Sequence, residues 1–398
     1  MTASPTPGQP RLLRLINDRT AIDLLLELGP LSRVQICELT GLSKPTASTL
    51  LARLEAAGLV RAVGTSSGGP GRNAVLYAVH GPAAHVGAVD INLRRITAQI
   101  ADLTGTVLGE ETVSLATSDD RTPARLVYRV LAAAGRSCGV DVGELNSVTL
   151  SVPGAYNQAK DRVTLVEGLL GWGAPGAMAS VRAALAPTTL LVENDVNLAA
   201  RAERVHGVAH GADSFAVLWV STGLGLAIDL GGRLHRGATG GAGEIGYMPM
   251  LGGSAGRTQA NFTDLVGGPA VRALAREHGI VARTAAAAVA KACAATDPDA
   301  EAFIDELAIR LASGLAVIAA VLDPHLVVLS GDISVAGGQH LARRVQRVLR
   351  RVSKIPLSVM VSGVEGNPAL SGALELALHH TRDALFQASS AARIGITR

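Results

Sequence analysis

The chain has 398 residues, 48% of them hydrophobic and 17% charged, with a net charge of +3; this excludes a disordered chain and leaves room for two or three folded domains. Its three cysteines, Cys37, Cys138 and Cys293, are far apart, which excludes a disulfide framework and a Cys-x-x-Cys zinc site and leads us to expect a reducing cytoplasm. The polar, Pro-rich residues 1–10 lack a signal-peptide core, and the longest strongly apolar helical run, residues 311–322, is too short to span a bilayer, so no membrane partner is expected.

Residues 1–10 read as a flexible lead. Ile22, Leu24, Leu25, Leu26 and Leu28 suit a short buried helix over residues 20–28, stopped by Gly29-Pro30. Ser32 can cap a helix over residues 33–40, and Gly41-Leu42 makes a tight turn. Ser43 caps a third helix, residues 44–57, with Pro45 in its first turn, where the missing N–H costs nothing. Residues 59–63 and 73–79, joined by a Gly-rich tip, read as a β-hairpin, the wing of a winged helix. Residues 11–80 are therefore expected to be a winged helix-turn-helix. They hold eight Lys/Arg against five Asp/Glu, the same +3 as the whole chain, so the excess charge sits where nucleic acid would bind. The candidate DNA contacts are Ser43, Lys44, Pro45, Thr46, Ser48, Thr49 and Arg53 on the third helix and Arg72 at the wing. Short polar side chains at a helix N-terminus reach base edges, and Lys or Arg holds phosphates.

His80-Gly-Pro82 reads as a hinge into residues 81–398. Strands are expected at 84–90, 96–102, 107–114, 148–152, 189–192 and 326–329, with a hairpin of 215–221 and 224–230. Helices are expected at 122–138, 177–185, 196–206 and 299–322. The alternation is that of an α/β body with two lobes, which places a ligand near Asp195, at a strand end. No short-period repeat is visible. Glu301, Asp305 and Glu306 read as a solvated helix face. The ten histidines show no metal-ligand spacing, and His379-His380 reads as the exposed part of a C-terminal helix.

Several short motifs follow one another along the body: Val152-Pro-Gly154, Gly171-Trp172, Glu193-Asn-Asp195, Ser221-Thr-Gly223-Leu-Gly225, Gly243-Glu-Ile-Gly246 and Ser330-Gly331. In this order and spacing they resemble the ROK family of repressors, open reading frames and sugar kinases. The resemblance implies a ribonuclease-H-like, actin-like two-lobe fold behind the winged helix. It also implies a ligand site at Gly154, Asn194, Asp195, Glu244 and Tyr247. Asp195 stands where the kinases keep the base that takes the sugar hydroxyl proton, and it is equally placed to cap the following helix. Glu244 could accept vicinal hydroxyls. Tyr247 could stack on a sugar or pack between lobes.

The chain departs from the kinase pattern in four places. The first phosphate loop, Asp-x-Gly-x-Thr in the kinases, is Asp90-Ile-Asn-Leu-Arg94 here, and Leu93 and Arg94 put side chains where backbone N–H groups would approach a phosphate. Tyr247 replaces a frequent His, residues 250–265 contain no cysteine, and Leu169 stands where a sugar-contacting Asn is frequent. The expectation is a DNA-binding transcriptional regulator, on family grounds a repressor. Its partners are operator DNA, a sugar or sugar-phosphate effector, and a second copy in a homodimer or higher homo-oligomer. No catalytic residue, metal or cofactor is expected. The rivals are an active sugar kinase and a body reduced to a dimerisation scaffold.

Overall fold

The computed structural model describes residues 10–66, 74–115, 122–166, 168–250 and 260–391. At the N-terminal end, α1 (Pro10–Leu28), β1 (Leu31–Ser32), α2 (Arg33–Thr40), α3 (Lys44–Ala56), β2 (Val60–Ser66) and β3 (Ala74–Val79) form the winged helix, its three strands ordered β1-β3-β2. Helix α1 is longer than expected and already begins at Pro10. Helix α2 starts on a reciprocal cap, Ser32 Oγ accepting from Gln35 N while Gln35 Oε1 accepts from Ser32 N. Helix α3 starts on Ser43, which accepts from Thr46 N, with Pro45 in the first turn. The wing tip and Arg72 lie outside the described residues.

The body is built on two five-stranded sheets. Lobe 1 contains β4 (His85–Ile91), β5 (Arg95–Asp102), β6 (Val107–Ser114), α4 (Pro123–Cys138), β7 (Leu145–Val152), the small hairpin β8 (Ala155–Asn157) and β9 (Arg162–Thr164), α5 (Ala177–Leu185) and β10 (Thr189–Asn194). Then α6 (Asp195–His206) leads to lobe 2: β11 (Phe215–Val220), β12 (Leu224–Leu230), β13 (Arg233–Leu234), α7 (Phe262–Val266), α8 (Gly268–Glu277), α9 (Ala285–Ala294), α10 (Pro298–Leu322), β14 (Leu326–Ser330), α11 (Gly331–Val352) and β15 (Ser358–Val361). The last helix, α12 (Pro368–Ala391), returns to lobe 1. The sheets are ordered β10-β7-β4-β5-β6 and β13-β12-β11-β14-β15. In each, three antiparallel strands are followed by two parallel ones. This repeated topology is the expected ribonuclease-H-like, actin-like fold.

Each lobe buries its sheet between helices. Strand β11 alternates, with Ala216, Leu218 and Val220 in the core under α10 and α11 and Phe215 and Val217 in the core toward α6. Helix α6 serves both lobes, Leu198 packing with α12 and β4 while Val196 and Ala200 pack on the lobe 2 sheet.

The expected hinge at His80–Pro82 is pinned. His80 N donates to Leu59 O, Leu103 N donates to Gly81 O, and Gly81 is buried against Asp102. The core of the winged helix is shared with the body: Ala21, Ile22, Leu25, Leu51 and Leu54 cluster with Leu103 and with Phe386 of α12, which is 5% exposed. Arg19 adds an ion pair to Asp383, beside His379, whose Nδ1 lies 3.2 Å from Arg19 Nη2. The acidic face of α10 is paired rather than merely solvated: Arg344 of α11 binds Glu301 and Asp305, and Glu306 pairs with Arg310 and His278. No helix among the described residues is long and apolar enough to cross a membrane.

Candidate functional site

The leading turn of α3 presents Lys44, Pro45, Thr46 and Thr49 to solvent, while Ala47, Leu50, Leu51 and Leu54 hold the opposite face in the core. Ser43 and Thr46 share a hydroxyl contact of 2.8 Å. Thr49 Oγ1 donates to Pro45 O at 3.0 Å and keeps accepting capacity. Ser48 is more committed, since its Oγ donates to Lys44 O and accepts from Arg33 Nη1 at 2.8 Å. Arg33, on α2, is an exposed cation beside the same face that the sequence reading passed over; position alone gave no signal for it. Arg53 is held by an internal partner. Its Nε donates to Asp18 Oδ2 at 3.1 Å and its Nη2 also binds Asp18, a carboxylate only 1% exposed. Its guanidinium neutralises a buried charge inside the domain.

The second site gathers at the C-terminal ends of the parallel strands of lobe 1. The register pairs Asp90 with Ser151 and Val152 with Asn194, so Asp90, Gly154 and Asn194-Asp195 emerge at one edge. Asn194 caps α6: its Oδ1 accepts from Val196 N and Asn197 N, and its Nδ2 donates to Gly154 O at 3.0 Å and to Asp195 Oδ1 at 2.8 Å. Asp195 Oδ1 also accepts from Val196 N. Its carboxyl is pushed up to about 7, first by burial and then by the neighbouring carboxylates Asp90 and Glu244. Asp90 is 6% exposed and accepts from Ser151 Oγ at 2.7 Å and from Asn367 Nδ2, just before α12, at 2.9 Å. Burial raises its proton affinity too. The sequence reading passed over Asp90 and Asn367 as site residues, because their meeting depends on how α12 returns.

Glu244 comes from lobe 2. It begins the short turn Ile245–Tyr247, and burial raises its carboxyl. Gly243 sets its place: a Cβ there would lie 1.8 Å from Leu226 O, so only glycine lets the segment lie on β12. Tyr247 is 56% exposed and is therefore not a buried packing aromatic between lobes. Leu169 is 9% exposed within the lobe 1 core and contributes no side chain to the cleft.

Beyond Asp90 the chain makes a tight hairpin turn. Asn92 N donates to Arg95 O, and Asn92 Oδ1 accepts from Arg94 N and Arg95 N. Leu93 lies over Gly168, where a Cβ would come within 2.9 Å of its methyl. Ser221-Thr222-Gly223 is a hairpin turn, Ser221 N donating to Gly223 O, and Gly268 N closes on it. Among the described residues no cluster of three His, Cys, Asp or Glu is arranged to hold a metal ion.

Comparison with known proteins gives two family matches, ROK family over residues 86–380 and MarR family over residues 6–72. The chain is 23% identical to the xylose repressor of Bacillus subtilis over 236 residues, covering 59% of this chain and 61% of that protein. It is 24% identical to the DNA-binding transcriptional dual regulator NagC of Escherichia coli over 243 residues, 61% of this chain and 59% of that one. It thus spans about three fifths of the length of these curated relatives. Among solved structures, a ROK family transcriptional regulator described as a homolog of the E. coli MLC protein superposes with a TM-score of 0.74 at 19% identity, covering 95% of this chain and 99% of that one.

Proposed function

The chain belongs to the ROK family, and on that premise we propose that it is a sugar-responsive transcriptional regulator, a repressor in type, whose kinase-like body senses its effector without phosphorylating it. One observation carries the reading: the cleft keeps Asn194, Asp195 and Glu244, while the turn after Asp90 is closed on itself by Asn92 and carries Leu93, whose side chain lies against Gly168. Phosphoryl transfer depends on positioning and charge stabilisation around the phosphates. A hydrogen-bonded turn with its own amides spent on Asn92 offers neither. The carboxylates need no phosphate loop to accept the hydroxyls of a sugar.

The winged helix reads an operator through Lys44, Thr46 and Thr49, with Ser43 and Pro45 setting the start of α3 and Ser48 and Arg33 beside them. The domain boundaries that go with this reading are 11–80 for the reader and 81–398 for the sensor. Two copies acting together would read a palindromic site, and the exposed Ile309, Val317 and Val321 along α10 support self-association. The effector is a sugar or a sugar phosphate; the names of two relatives, the xylose repressor and an N-acetylglucosamine repressor of Escherichia coli, make D-xylose and N-acetylglucosamine, with their phosphates, the first probes.

The test is operator affinity with and without each probe. Binding should change by about 1–3 kcal/mol in the wild type. Asp195→Ala and Glu244→Ala should lose the response and keep ligand-free DNA binding. Identical responses in all three proteins would remove the cleft as the sensor, and ADP release from ATP and Mg²⁺ above a no-enzyme control would restore the kinase reading.

A further inference from the structure

The lobes also meet beside the ligand cleft. Glu193, the penultimate residue of β10 in lobe 1, is 6% exposed. Its Oε1 accepts from Asn194 N at 3.0 Å and Asn197 Nδ2 at 2.9 Å, and its Oε2 accepts from Arg236 Nε at 2.6 Å. Arg236 follows β13 in lobe 2 and opens the segment that ends at Glu244. At the middle of that segment Gly240, with φ +86°, lies so close to lobe 1 that a Cβ would stand 2.2 Å from Tyr156 O. The segment then returns to lobe 2, where Leu226 N donates to Gly243 O at 2.9 Å. Lobe 2 thus sends out a loop that lobe 1 grips at two points.

We propose that the Glu193–Arg236 ion pair is a latch between the lobes that positions Glu244 opposite Asp195, so that a polyhydroxylated ligand is held from both sides. The proposal rests on the reading of the cleft as a ligand site. Glu193 and Arg236 are positioning residues in it. Two physical reasons support the role. A carboxylate this well sealed from water needs a cationic partner, and Arg236 supplies it. The segment from 236 to 247 contains five glycines, whose backbone freedom opposes a fixed place for Glu244 unless something pins it.

The experiment uses the full chain with Arg236→Met, Arg236→Lys and Glu193→Gln. Hydrogen exchange of peptides spanning 235–247 is measured without ligand, and D-xylose and N-acetylglucosamine binding by calorimetry. Arg236→Met should speed exchange in this segment about tenfold while α1 to α3 stay as in wild type. Arg236→Lys should recover part of the protection. Sugar affinity should fall about tenfold in Arg236→Met and Glu193→Gln, and a chain carrying both of these substitutions should be no worse than either single variant. Unchanged exchange in both single variants, with sugar binding intact, overturns the latch. Faster exchange in a protein whose wild type binds neither sugar supports the latch and counts against the sugar reading instead.

Discussion

Asp195 should make the protein less stable as the pH rises, and Asp195→Asn should relieve that cost. Its carboxyl is raised from 3.8 to about 7, by burial first and then by Asp90 and Glu244. Between those two values the folded chain binds a proton that the unfolded chain has released. Stability therefore falls across that window as the pH rises, and the penalty is complete above it. Each tenfold change in proton affinity is worth about 1.4 kcal/mol, so the ceiling is about 4 kcal/mol. Because Asp195 is only half-buried, about 2 kcal/mol is the working figure after solvent screening. Asparagine keeps the oxygen that accepts from Val196 N and Asn194 Nδ2, so the cap survives. Urea unfolding of both proteins at pH 5 and pH 8.5 is the assay; titrating groups remote from Asp195 cancel in the difference, and the relief felt by Asp90 and Glu244 is part of the gain. Asp195→Asn should be more stable by about 2 kcal/mol at pH 8.5 and by less than about 1 kcal/mol at pH 5. An equal difference at both pH values, or a loss at pH 8.5, would refute the reasoning. The predicted gain at pH 8.5, if seen, marks a charge kept at a cost for what it binds.

Lys44→Ala should weaken binding to every DNA sequence and lower the salt slope by about one, whereas Thr46→Ala should relax base preference by about 1–3 kcal/mol; competition binding over a range of salt separates the two. Arg53→Ala should destabilise the winged helix by about 3–5 kcal/mol by leaving buried Asp18 unpaired, and Asp18→Asn in the same chain should recover part of that loss in denaturant unfolding. Phe386→Ala should cost the reader about 3–5 kcal/mol and reduce operator binding, although residue 386 lies in the last helix; calorimetric unfolding with and without operator checks it.

Local signals in the sequence placed much of the fold. Ser32 and Ser43 marked the starts of α2 and α3 because a capping hydroxyl acts within three residues, and Asn194-Asp195 marked the strand-to-helix junction at the ligand cleft. What was illegible is non-local. Helix α11 carries Gly337-Gly338, with Gly338 at φ 52° and a kink there, which reads as a loop, and the alanine run of α9 has no face to recognise. The pairing of Arg53 gave no local sign because its partner, Asp18, lies 35 positions away on another helix. Glu193 and Arg236 are 43 positions apart, and nothing in either neighbourhood announces the other. The matching strand orders of the two lobes left no short-period trace, since topology can repeat where side chains do not.

The shared core of the winged helix has a consequence for how the protein is made. Arg19 and Asp383 are 364 positions apart, and Phe386 completes a core whose other buried members all lie between Ala21 and Leu103. A nascent chain releases its N-terminal segment first, so the winged helix leaves the ribosome before Phe386 is there to complete its core. The core can be completed only once α12 has been synthesised and packed on lobe 1. A polypeptide that ends before α12 would therefore carry a winged helix whose core lacks Phe386.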